Sequence, residues 1–480
     1  MIQNSSLHVS EQQLCRQRDY MHQVGLLNQE FEATHGRAPR CFTHTYGCQQ
    51  NENDTEKING MLMEMGFRFT SDKKDADLIL LNTCAVREHA EQKVLGNVGA
   101  LVHLKRSNPD LMICLCGCMM SQEHVWKNIK ARYPHVDLVF GAHALYRFPE
   151  NLFRLMTSHR RVFDTEDTNG VIVEGLPIRR DSSVKAWVSV MSGCNNFCSY
   201  CIVPYVRGRE RSRNPEDVLA EVRGLVQAGY KDITLLGQNV NSYSKDLGID
   251  YDFSDLLRDI NAVDGDFCVK FMTSHPKDAS HKLLDTVAEC EKLVKHVHLP
   301  FQSGSDRILK QMNRHYTRQT YLDLVEYAKE KIPDVAITSD VIVGFPGETE
   351  DDFEQTLDLV RKVRFHGLYT FLYSPRQGTP AAQMPDQIPK EVKAERFQRL
   401  VDLQTEICTQ IHSEYIGQVL SARVDGPAEK SENVFAARTQ NNTIVHAENV
   451  DNLSIVPGQT IRVRVDKALN WAIFGKIVKE

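Results

Sequence analysis

Three cysteines fall close together in the middle of the chain, in the spacing Cys-x3-Cys-x2-Cys at Cys194, Cys198 and Cys201. Soft thiolate ligands select zinc, copper(I) or iron–sulfur clusters. A structural zinc site takes four protein ligands, usually as two separated pairs, and no histidine or fourth cysteine follows closely here. Three thiolates suit a four-iron cluster in which one iron stays open for another ligand. We therefore expect an iron–sulfur cluster on this loop, with a zinc knuckle or a disulfide loop as the alternatives.

A second set of three cysteines, Cys48, Cys84 and Cys118, is spread over the N-terminal part of the chain. Each follows a segment that predicts a strand, and helical segments lie between the strands, which indicates a parallel sheet. Ligands gather at the carboxyl ends of the strands in such sheets, so these thiols are expected to converge on a second cluster. The alternative is that they are ordinary buried cysteines. Cys114 and Cys116 alternate along the strand before Cys118 and are expected to be core or spare thiols.

The composition predicts a large, reduced protein with several domains. The chain has 480 residues, of which 41% are hydrophobic and 25% are charged, and its length suggests roughly three domains. Thirteen cysteines in so long a chain do not indicate the disulfide framework of a short secreted domain. The chain lacks an apolar run of about 18 residues and a signal-peptide pattern, so a cytoplasmic protein without a membrane partner is expected. The net charge of the chain is −6, so a nucleic-acid partner is expected to bind at a local basic patch.

The pattern of predicted elements divides the chain into segments of an α/β protein. Residues 1–38 are a polar N-terminal extension with one or two helices, and residues 39–157 form the domain with the parallel sheet. Residues 158–182 have the composition of a linker. Residues 180–410 alternate six strands with helices, as in an incomplete, TIM-like (β/α)6 barrel with its chemistry at the strand ends. Residues 413–480 predict a small OB-like β-barrel that grips single-stranded nucleic acid, or else a barrel that only stabilises the C-terminus.

These features together resemble the radical-SAM (S-adenosylmethionine) methylthiotransferases. The central loop resembles the radical-SAM motif, including the aromatic Tyr200 before the last cysteine. The order of segments is similar to that family's methylthiotransferase N-terminal domain, radical-SAM core and TRAM domain, and the resemblance covers almost the whole chain from about residue 39. Gln50 stands where the family more often has methionine. Three runs resemble the MiaB-type branch, which acts on isopentenylated adenosine in tRNA: Thr45-Tyr46-Gly47-Cys48-Gln49-Gln50-Asn51, Asn82-Thr83-Cys84-Ala85-Val86-Arg87-Glu88 and Leu236-Gly237-Gln238-Asn239-Val240-Asn241-Ser242-Tyr243.

The resemblance implies the reaction and its cofactors. A methylthio group would replace the hydrogen on carbon 2 of N6-isopentenyladenosine at tRNA position 37, beside the anticodon. Two 4Fe–4S clusters are implied, one on Cys194, Cys198 and Cys201 that cleaves SAM, and one on the other three cysteines as the sulfur source. One SAM would methylate the sulfur and another would yield the radical that attacks a C–H bond too inert for acid–base chemistry. Seven residues are placed where SAM binds in radical-SAM barrels: Tyr200, Gly237, Gln238, Asn239, Gln302, Ser303 and Gly344. Ordinary turn chemistry is the alternative for each of them.

The implied partners are tRNA carrying isopentenyladenosine and a low-potential electron donor of the flavodoxin or ferredoxin type, and the chain is expected to be a monomer. One alternative is another branch of the family, which acts on threonylcarbamoyl-adenosine in tRNA or on ribosomal protein S12. These branches usually carry a different run after the second barrel strand. The other alternative is a non-catalytic RNA-binding iron–sulfur redox sensor, and the intact runs Gly237-Gln238-Asn239 and Gly344-Phe345-Pro346-Gly347 argue against it.

Alternating arginines suggest surfaces for anions. In an extended segment, residues two apart share one face, which suits tRNA phosphates or the carboxylate of SAM. After the central loop this spacing occurs at Arg207, Arg209, Arg211 and Arg213. A solvated charged loop is the alternative there. Arg462 and Arg464 alternate in the same way on the last long strand predicted in the terminal barrel, and we expect them to contact tRNA.

Overall fold

The computed structural model describes residues 8–85, 88–165, 171–428, 431 and 433–479. Val86-Arg87 of the second run above and the linker positions 166–170 therefore lie outside the described residues. The chain divides into two compact units. Unit 1 comprises Met1–Asp181, Ser189–Asn195 and Cys201–Arg213, and unit 2 comprises Ser182–Val188, Asn196–Tyr200 and Asn214–Glu480. The domain boundaries expected from the sequence stay predictions.

Unit 1 contains a six-stranded parallel sheet between layers of helices, as the sequence predicted. Its strands are β1 (Arg40–Tyr46), β2 (Arg68–Phe69), β3 (Leu78–Thr83), β4 (Met112–Gly117), β5 (Leu138–Phe140) and β6 (Val162–Asp164). Its helices are α1 (Glu11–His35), α2 (Gln49–Glu64), α3 (Glu88–Ser107), α4 (Glu123–Arg132) and α5 (Phe148–Ser158). The strand order is β2-β1-β3-β4-β5-β6. Every position of β3 is buried, and separate apolar clusters cover the two faces, which explains its nearly continuous apolar sequence.

The N-terminal extension forms one helix in its described part. Ser10 caps α1 through a capping box with Gln13, and Gly36 ends the helix in the left-handed region. Further along unit 1, Cys114 and Cys116 belong to the buried apolar cluster on one face of the sheet, as expected for core thiols.

The next elements are β7 (Lys185–Ser189), the short strand β8 (Met191–Ser192), helix α6 (Val203–Arg207) and the short strand β9 (Arg211–Ser212). Unit 2 continues with five further parallel-type strands, which are β10 (Asp232–Leu236), β11 (Cys268–Phe271), β12 (His296–His298), β13 (Ala336–Val343) and β14 (Gly367–Leu372). Its helices are α7 (Pro215–Gln227), α8 (Phe253–Asn261), α9 (His281–Glu289), α10 (Asp306–Gln311), α11 (Arg318–Lys331), α12 (Glu350–Val363) and α13 (Lys390–Ser413).

The strands of unit 2 form two three-stranded sheets, β11-β10-β7 and β12-β13-β14. A parallel bridge between Val269 and Leu293 links the end of one sheet to the start of the other. The strands therefore follow one another in chain order, with helices between them, and this confirms the predicted incomplete barrel.

The C-terminal part of unit 2 is a closed five-stranded barrel with the order β15-β16-β17-β19-β18. Its strands are β15 (Val419–Pro427), β16 (Val434–Thr439), β17 (Ile444–Glu448), β18 (Thr460–Ala468) and β19 (Ile473–Ile477). The predicted small barrel is confirmed. The sequence pattern predicts strands at 418–424, 434–438, 443–446 and 460–465, which correspond to β15–β18, but it does not predict β19. Gly475 interrupts β19 in sequence, yet it fits there because a Cβ would collide with the carbonyl of Arg464. None of the described helices is long and apolar enough to cross a membrane.

Candidate functional site

Three of the six candidate cysteines lie at one edge of the sheet in unit 1. Cys48 is the N-cap of α2 just after β1, Cys84 follows β3, and Cys118 opens a short 3₁₀ helix after β4. Because β1, β3 and β4 are adjacent and parallel, their carboxyl ends bring the three thiols to the same edge. Cys84 and Cys118 are buried and Cys48 is exposed. That they bind a cluster stays a prediction.

The surroundings of Cys48 favour its thiolate. A hydrogen bond with Cys84 is the largest cause that lowers the pKa of Cys48, to about 6; although the residue is exposed, nearby protein partly desolvates its thiol and opposes this shift. The positive charge of Arg207 and the backbone N–H groups of Asn51 and Gln50 lower the pKa further. The thiolate is the form that binds metals, so this environment favours a ligand.

A buried arginine contacts the third thiol. Arg207, the last residue of α6, donates from Nε to Sγ of Cys118 at 2.9 Å and from Nη2 to Oδ2 of Asp54 at 2.6 Å. All three side chains are buried, so the guanidinium charge acts on the sulfur with little screening by solvent. Burial raises the pKa of the Cys118 thiol, and Arg207 opposes that rise. A fixed cation therefore lies where a thiolate ligand would place negative charge.

The interpretation of the four alternating arginines as one exposed face is wrong. Their segment is not extended throughout, because α6 is helical as far as Arg207. Arg213 is also buried, and it donates from Nη2 to Oε2 of Glu174 at 2.7 Å. Two of the four arginines thus form ion pairs within unit 1 instead of facing an external anion.

Two asparagines link the first turn of α2 to the end of β3. Asn51 donates from Nδ2 to Oδ1 of Asn82 at 2.9 Å, and Asn82 donates back from Nδ2 to the Asn51 carbonyl at 2.9 Å. The Thr83 hydroxyl donates to the carbonyl of Cys116 at 2.6 Å and so ties β3 to β4. Gly117 has a φ of 97°, and a Cβ there would collide with Asn82 and Thr83. These contacts fix the loops that carry the three thiols.

The donors of unit 1 suit a cluster better than a single ion. Among the described residues, no three His, Cys, Asp or Glu side chains are placed to hold one metal ion. A four-iron cluster makes a different demand, because each thiolate binds its own iron. Cys48, Cys84 and Cys118 offer three soft donors on fixed loops, and Arg207 offsets part of their charge.

The central cysteine loop is divided between the units. Cys194 and Cys201 belong to unit 1, and Cys198 belongs to unit 2. Within unit 1, Ile202 follows Cys201 directly and lies in the same buried apolar cluster as Cys118. In this unit, the residue that follows Cys201 therefore packs in the same cluster as Cys118.

A second buried arginine contacts Cys198 in unit 2. Arg314 donates from Nη1 to Sγ of Cys198 at 3.4 Å and from Nη2 to the carbonyl of Pro300 at 2.7 Å. Its Nε donates to the hydroxyl of Tyr316 at 3.2 Å. Arg314 is 4% exposed, and no carboxylate among the described residues forms an ion pair with it. The sulfur of Cys198 is thus one of the few polar atoms in contact with this buried cation.

The residues predicted to bind SAM follow strand ends in unit 2. Tyr200 lies in the loop after β7, residues 237–239 follow β10, Gln302 and Ser303 follow β12, and Gly344 follows β13. These residues thus lie after the strands of the incomplete barrel, as the sequence predicted. That they bind SAM stays a prediction.

The local contacts of Asn239 and Gly344 allow a ligand-binding role for the first residue and favour a structural role for the second. Asn239 donates from Nδ2 to Oδ2 of Asp278 at 2.8 Å, but its buried Oδ1 has no hydrogen-bond partner among the described residues. This acceptor is therefore open to a hydrogen bond from a water molecule or a ligand. Gly344 has a φ of 75° and its N–H donates to Oε2 of Glu348 at 2.9 Å, so a turn already accounts for this glycine.

One outer face of the terminal barrel combines basic and aromatic side chains. Arg462 and Arg464 are exposed and alternate with buried apolar residues along β18. Arg464 is in register with Lys476 of the neighbouring strand β19. Lys476 and Phe474 are two residues apart and so lie on the same face of that strand. Trp471 is 54% exposed and packs edge-on against Phe474, with 5.5 Å between ring centroids. Cations beside aromatic rings suit the phosphates and bases of RNA.

Sequence reasoning missed the two partners that organise the thiols. Asp54 is one of several acids in α2, and no local pattern connects it to Arg207, which lies far along the chain. Arg314 lies between α10 and α11, where its spacing carries no periodic signal. Of the residues that sequence reasoning missed, only Trp471 has a local signal in the sequence, because it is a tryptophan in a predicted turn of a small barrel.

Comparisons with known proteins agree with this arrangement. Residues 188–360 match the model of the Radical SAM superfamily, and residues 40–141 match that of Uncharacterized protein family UPF0004. A protein of Acetivibrio thermocellus is 50% identical over 99% of this chain and 98% of its own length. A protein of Alkaliphilus oremlandii is 48% identical over 100% of both chains. Both relatives carry the name tRNA-2-methylthio-N(6)-dimethylallyladenosine synthase.

Among solved structures, the radical S-adenosylmethionine methyltransferase TsrM from Kitasatospora setae aligns with a TM-score of 0.54 at 14% identity. The alignment covers 72% of this chain and 74% of that one. At this identity the likeness concerns the fold alone, and it agrees with the incomplete barrel of unit 2.

Proposed function

Since the chain belongs to the family of the tRNA-2-methylthio-N(6)-dimethylallyladenosine synthases, radical-SAM methylthiotransferases, we propose that it methylthiolates carbon 2 of N6-isopentenyladenosine in tRNA. The target would be position 37, beside the anticodon. The observation that carries the proposal is the meeting of Cys48, Cys84 and Cys118 at one sheet edge, in a chain that also has the central cysteine loop. Radical formation alone requires one set of three thiols, and sulfur insertion gives the other set a role.

Each group of residues has a place in this reaction. When bound, two 4Fe–4S clusters and SAM would supply the carbon radical and the sulfur that the side chains lack. Cys194, Cys198 and Cys201 would hold one cluster, and the thiols at the sheet edge would hold the other. Arg207 and Arg314 keep positive charge beside Cys118 and Cys198, where bound clusters would place negative charge.

The substrate and the partners follow from the same proposal. The outer face with Arg462, Arg464 and Trp471 would hold the tRNA, and Asn239 would accept a hydrogen bond from SAM through its unsatisfied Oδ1. An electron donor of the flavodoxin or ferredoxin type would reduce the protein. We infer that the chain works as a monomer in the cytoplasm, where its tRNA substrate is found.

The decisive experiment uses the full chain, reconstituted anaerobically with iron and sulfide and supplied with SAM and a reductant. Its substrates are anticodon stem-loops that carry isopentenyladenosine, threonylcarbamoyl-adenosine or unmodified adenosine. Mass spectrometry of the digested nucleosides should find a methylthio product from the isopentenylated stem-loop only. A product from the threonylcarbamoyl substrate would assign the chain to another branch. Failure to form 5'-deoxyadenosine would favour the non-catalytic sensor.

A cellular measurement gives an independent answer. The tRNA nucleosides of cells that lack this chain should contain isopentenyladenosine without its 2-methylthio derivative. Reintroducing the wild-type chain should restore the derivative, and reintroducing Cys198→Ala should not. Persistence of the derivative in the deletion strain would contradict the proposed substrate.

A further inference from the structure

Two aromatic side chains stand open on the last strand of the incomplete barrel. Tyr369 is 54% exposed and Phe371 is 39% exposed, although both lie on β14 of a parallel sheet. They are two residues apart and therefore share one face of the strand. The hydroxyl of Tyr369 has no hydrogen-bond partner among the described residues. Strands of parallel sheets are usually buried on both faces, so an exposed aromatic pair on such a strand indicates a surface that binds another molecule.

Polar groups lie beside the aromatic pair on the same face. Asp340 of β13 is in register with Tyr369, and the ring of His298 lies 5.8 Å from the ring of Tyr369. Nδ1 of His298 contacts the hydroxyl of Thr338 at 3.0 Å, and Nε2 lies 3.6 Å from Oδ1 of Asp340. The face thus offers flat aromatic surface next to a carboxylate and an imidazole.

This face continues towards the central cysteine loop. Ile342 follows Asp340 on the same side of β13 and is in register with Phe371. Ile342 and Tyr200 both pack against one buried apolar cluster of unit 2, which contains Phe345. A molecule bound on Tyr369 and Phe371 would therefore lie along the same wall as the loop residue that precedes Cys201.

The geometry points to this open face, defined by Tyr369, Phe371, His298 and Asp340, as the binding site of the N6-prenylated adenine of the substrate. The inference rests on the proposed function. A purine stacks on aromatic rings, and the apolar prenyl group adds contact area with them. The N6 nitrogen keeps one N–H after prenylation, and the carboxylate of Asp340 is a suitable acceptor for it. The site would thus select the prenylated nucleoside over unmodified adenosine.

The test measures binding rather than turnover. Reconstituted full-length protein is titrated with two anticodon stem-loops that differ only in the N6-prenyl group, with fluorescence anisotropy as the readout. Tyr369→Ala and Phe371→Ala should each weaken binding of the prenylated stem-loop by about tenfold, the order expected for one stacking side chain. Binding of the unmodified stem-loop should weaken less, because it loses the stacking on adenine but has no prenyl contact to lose, so the preference of the wild type for the prenyl group should shrink.

The matched control is Leu372→Ala. Leu372 is 42% exposed on the same strand but points to the other face, so its removal should leave the preference unchanged. Thermal unfolding of all variants checks that each one folds. If Tyr369→Ala and Phe371→Ala keep the full prenyl preference, the inference is overturned, whereas the proposed function stands as long as the wild type makes the methylthio product.

A second arm distinguishes the adenine of tRNA from the adenine of SAM. SAM affinity, measured by equilibrium dialysis without tRNA, should be the same in Tyr369→Ala as in the wild type. A loss of SAM affinity together with an unchanged prenyl preference would assign the face to SAM and overturn the inference.

Discussion

The guanidinium of Arg314 donates to the sulfur of Cys198 at 3.4 Å and has no carboxylate partner among the described residues. A buried charge without an opposite charge is costly, so negative charge on a cluster held at this sulfur would stabilise the arginine. Arg207 differs, because its Nη2 already pairs with Asp54 while its Nε donates to Cys118. Each cysteine set therefore has an arginine beside one of its thiols. Among the described residues, Arg207 beside Cys118 also has a carboxylate partner, whereas Arg314 beside Cys198 has none.

The first prediction concerns the reduction potential of the SAM-cleaving centre. If Cys198 binds the proposed cluster, Arg314→Gln removes a positive charge next to that cluster, and adding an electron then becomes harder. We expect the midpoint potential to become more negative, measured by an anaerobic redox titration followed by electron paramagnetic resonance. Arg314→Lys keeps the charge and should shift the potential less. An unchanged potential in Arg314→Gln with full iron content would show that this guanidinium does not act on the cluster.

A second prediction concerns the ion pair between Arg207 and Asp54. Asp54→Asn leaves the buried guanidinium without its carboxylate and should cost about 3–5 kcal/mol of unfolding free energy, as for other broken buried pairs. Urea unfolding of the metal-free protein measures the loss. The combined change Asp54→Leu with Arg207→Met should cost less than the sum of the two single changes.

The exposed pair of Arg16 and Glu150 serves as the control for this measurement. Arg16→Ala should leave the urea midpoint nearly unchanged, because solvent screens surface pairs. Additive losses at Asp54 and Arg207 would mean that the two side chains do not stabilise one another.

The sequence predicted the positions of the cysteines better than their surroundings. Cys48, Cys84 and Cys118 follow strands that are recognisable from short apolar runs, and parallel sheets bring such positions to one edge. The role of Arg207 could not be predicted, because its alternating spacing resembles that of a strand, whereas the residue ends a short helix with Pro204 in its first turn. Its partner Asp54 is distant in sequence, and only the folded sheet brings the two together.

The same contrast holds in unit 2. The alternation along β18 correctly placed Arg462 and Arg464 on an exposed face, because period two is a local property of a strand. The open pair of Tyr369 and Phe371 has the same alternation, but sequence alone does not show which face of a parallel strand is left uncovered. Burial of a strand face depends on the neighbouring strands and helices, and the sequence of β14 alone does not show how these are arranged.

A third prediction concerns the outer face of the terminal barrel. The double variant Arg462→Ala with Arg464→Ala removes two phosphate contacts, so tRNA affinity should fall and its dependence on salt should become shallower. Filter binding at several salt concentrations measures both effects, and SAM cleavage without tRNA should be unaffected. Arg361→Ala, at an exposed position of α12, is the matched control. Equal affinity and equal salt dependence in the double variant would exclude this face from tRNA binding.

Trp471 allows a separate test of the same face. Trp471→Ala should weaken binding of the stem-loop by about 1–3 kcal/mol with little change in salt dependence, because stacking involves bases rather than phosphates. Trp471→Phe should recover part of the loss. If both variants bind as the wild type does, the aromatic cluster only stabilises the barrel.

The last prediction separates the two cysteine sets. The wild-type chain should bind about 8 irons after anaerobic reconstitution, in two four-iron clusters. Cys84 lies at the end of β3 in unit 1, so Cys84→Ala should lose only the cluster at the sheet edge and keep about 4 irons. That variant should still convert SAM to 5'-deoxyadenosine but make no methylthio product, because no sulfur source remains. Cys198→Ala should keep the sheet-edge cluster and lose 5'-deoxyadenosine formation. Iron analysis, 5'-deoxyadenosine and the methylthio nucleoside are measured on the same preparations, and methylthiolation by Cys84→Ala at nearly the wild-type rate would contradict a sulfur source at the sheet edge.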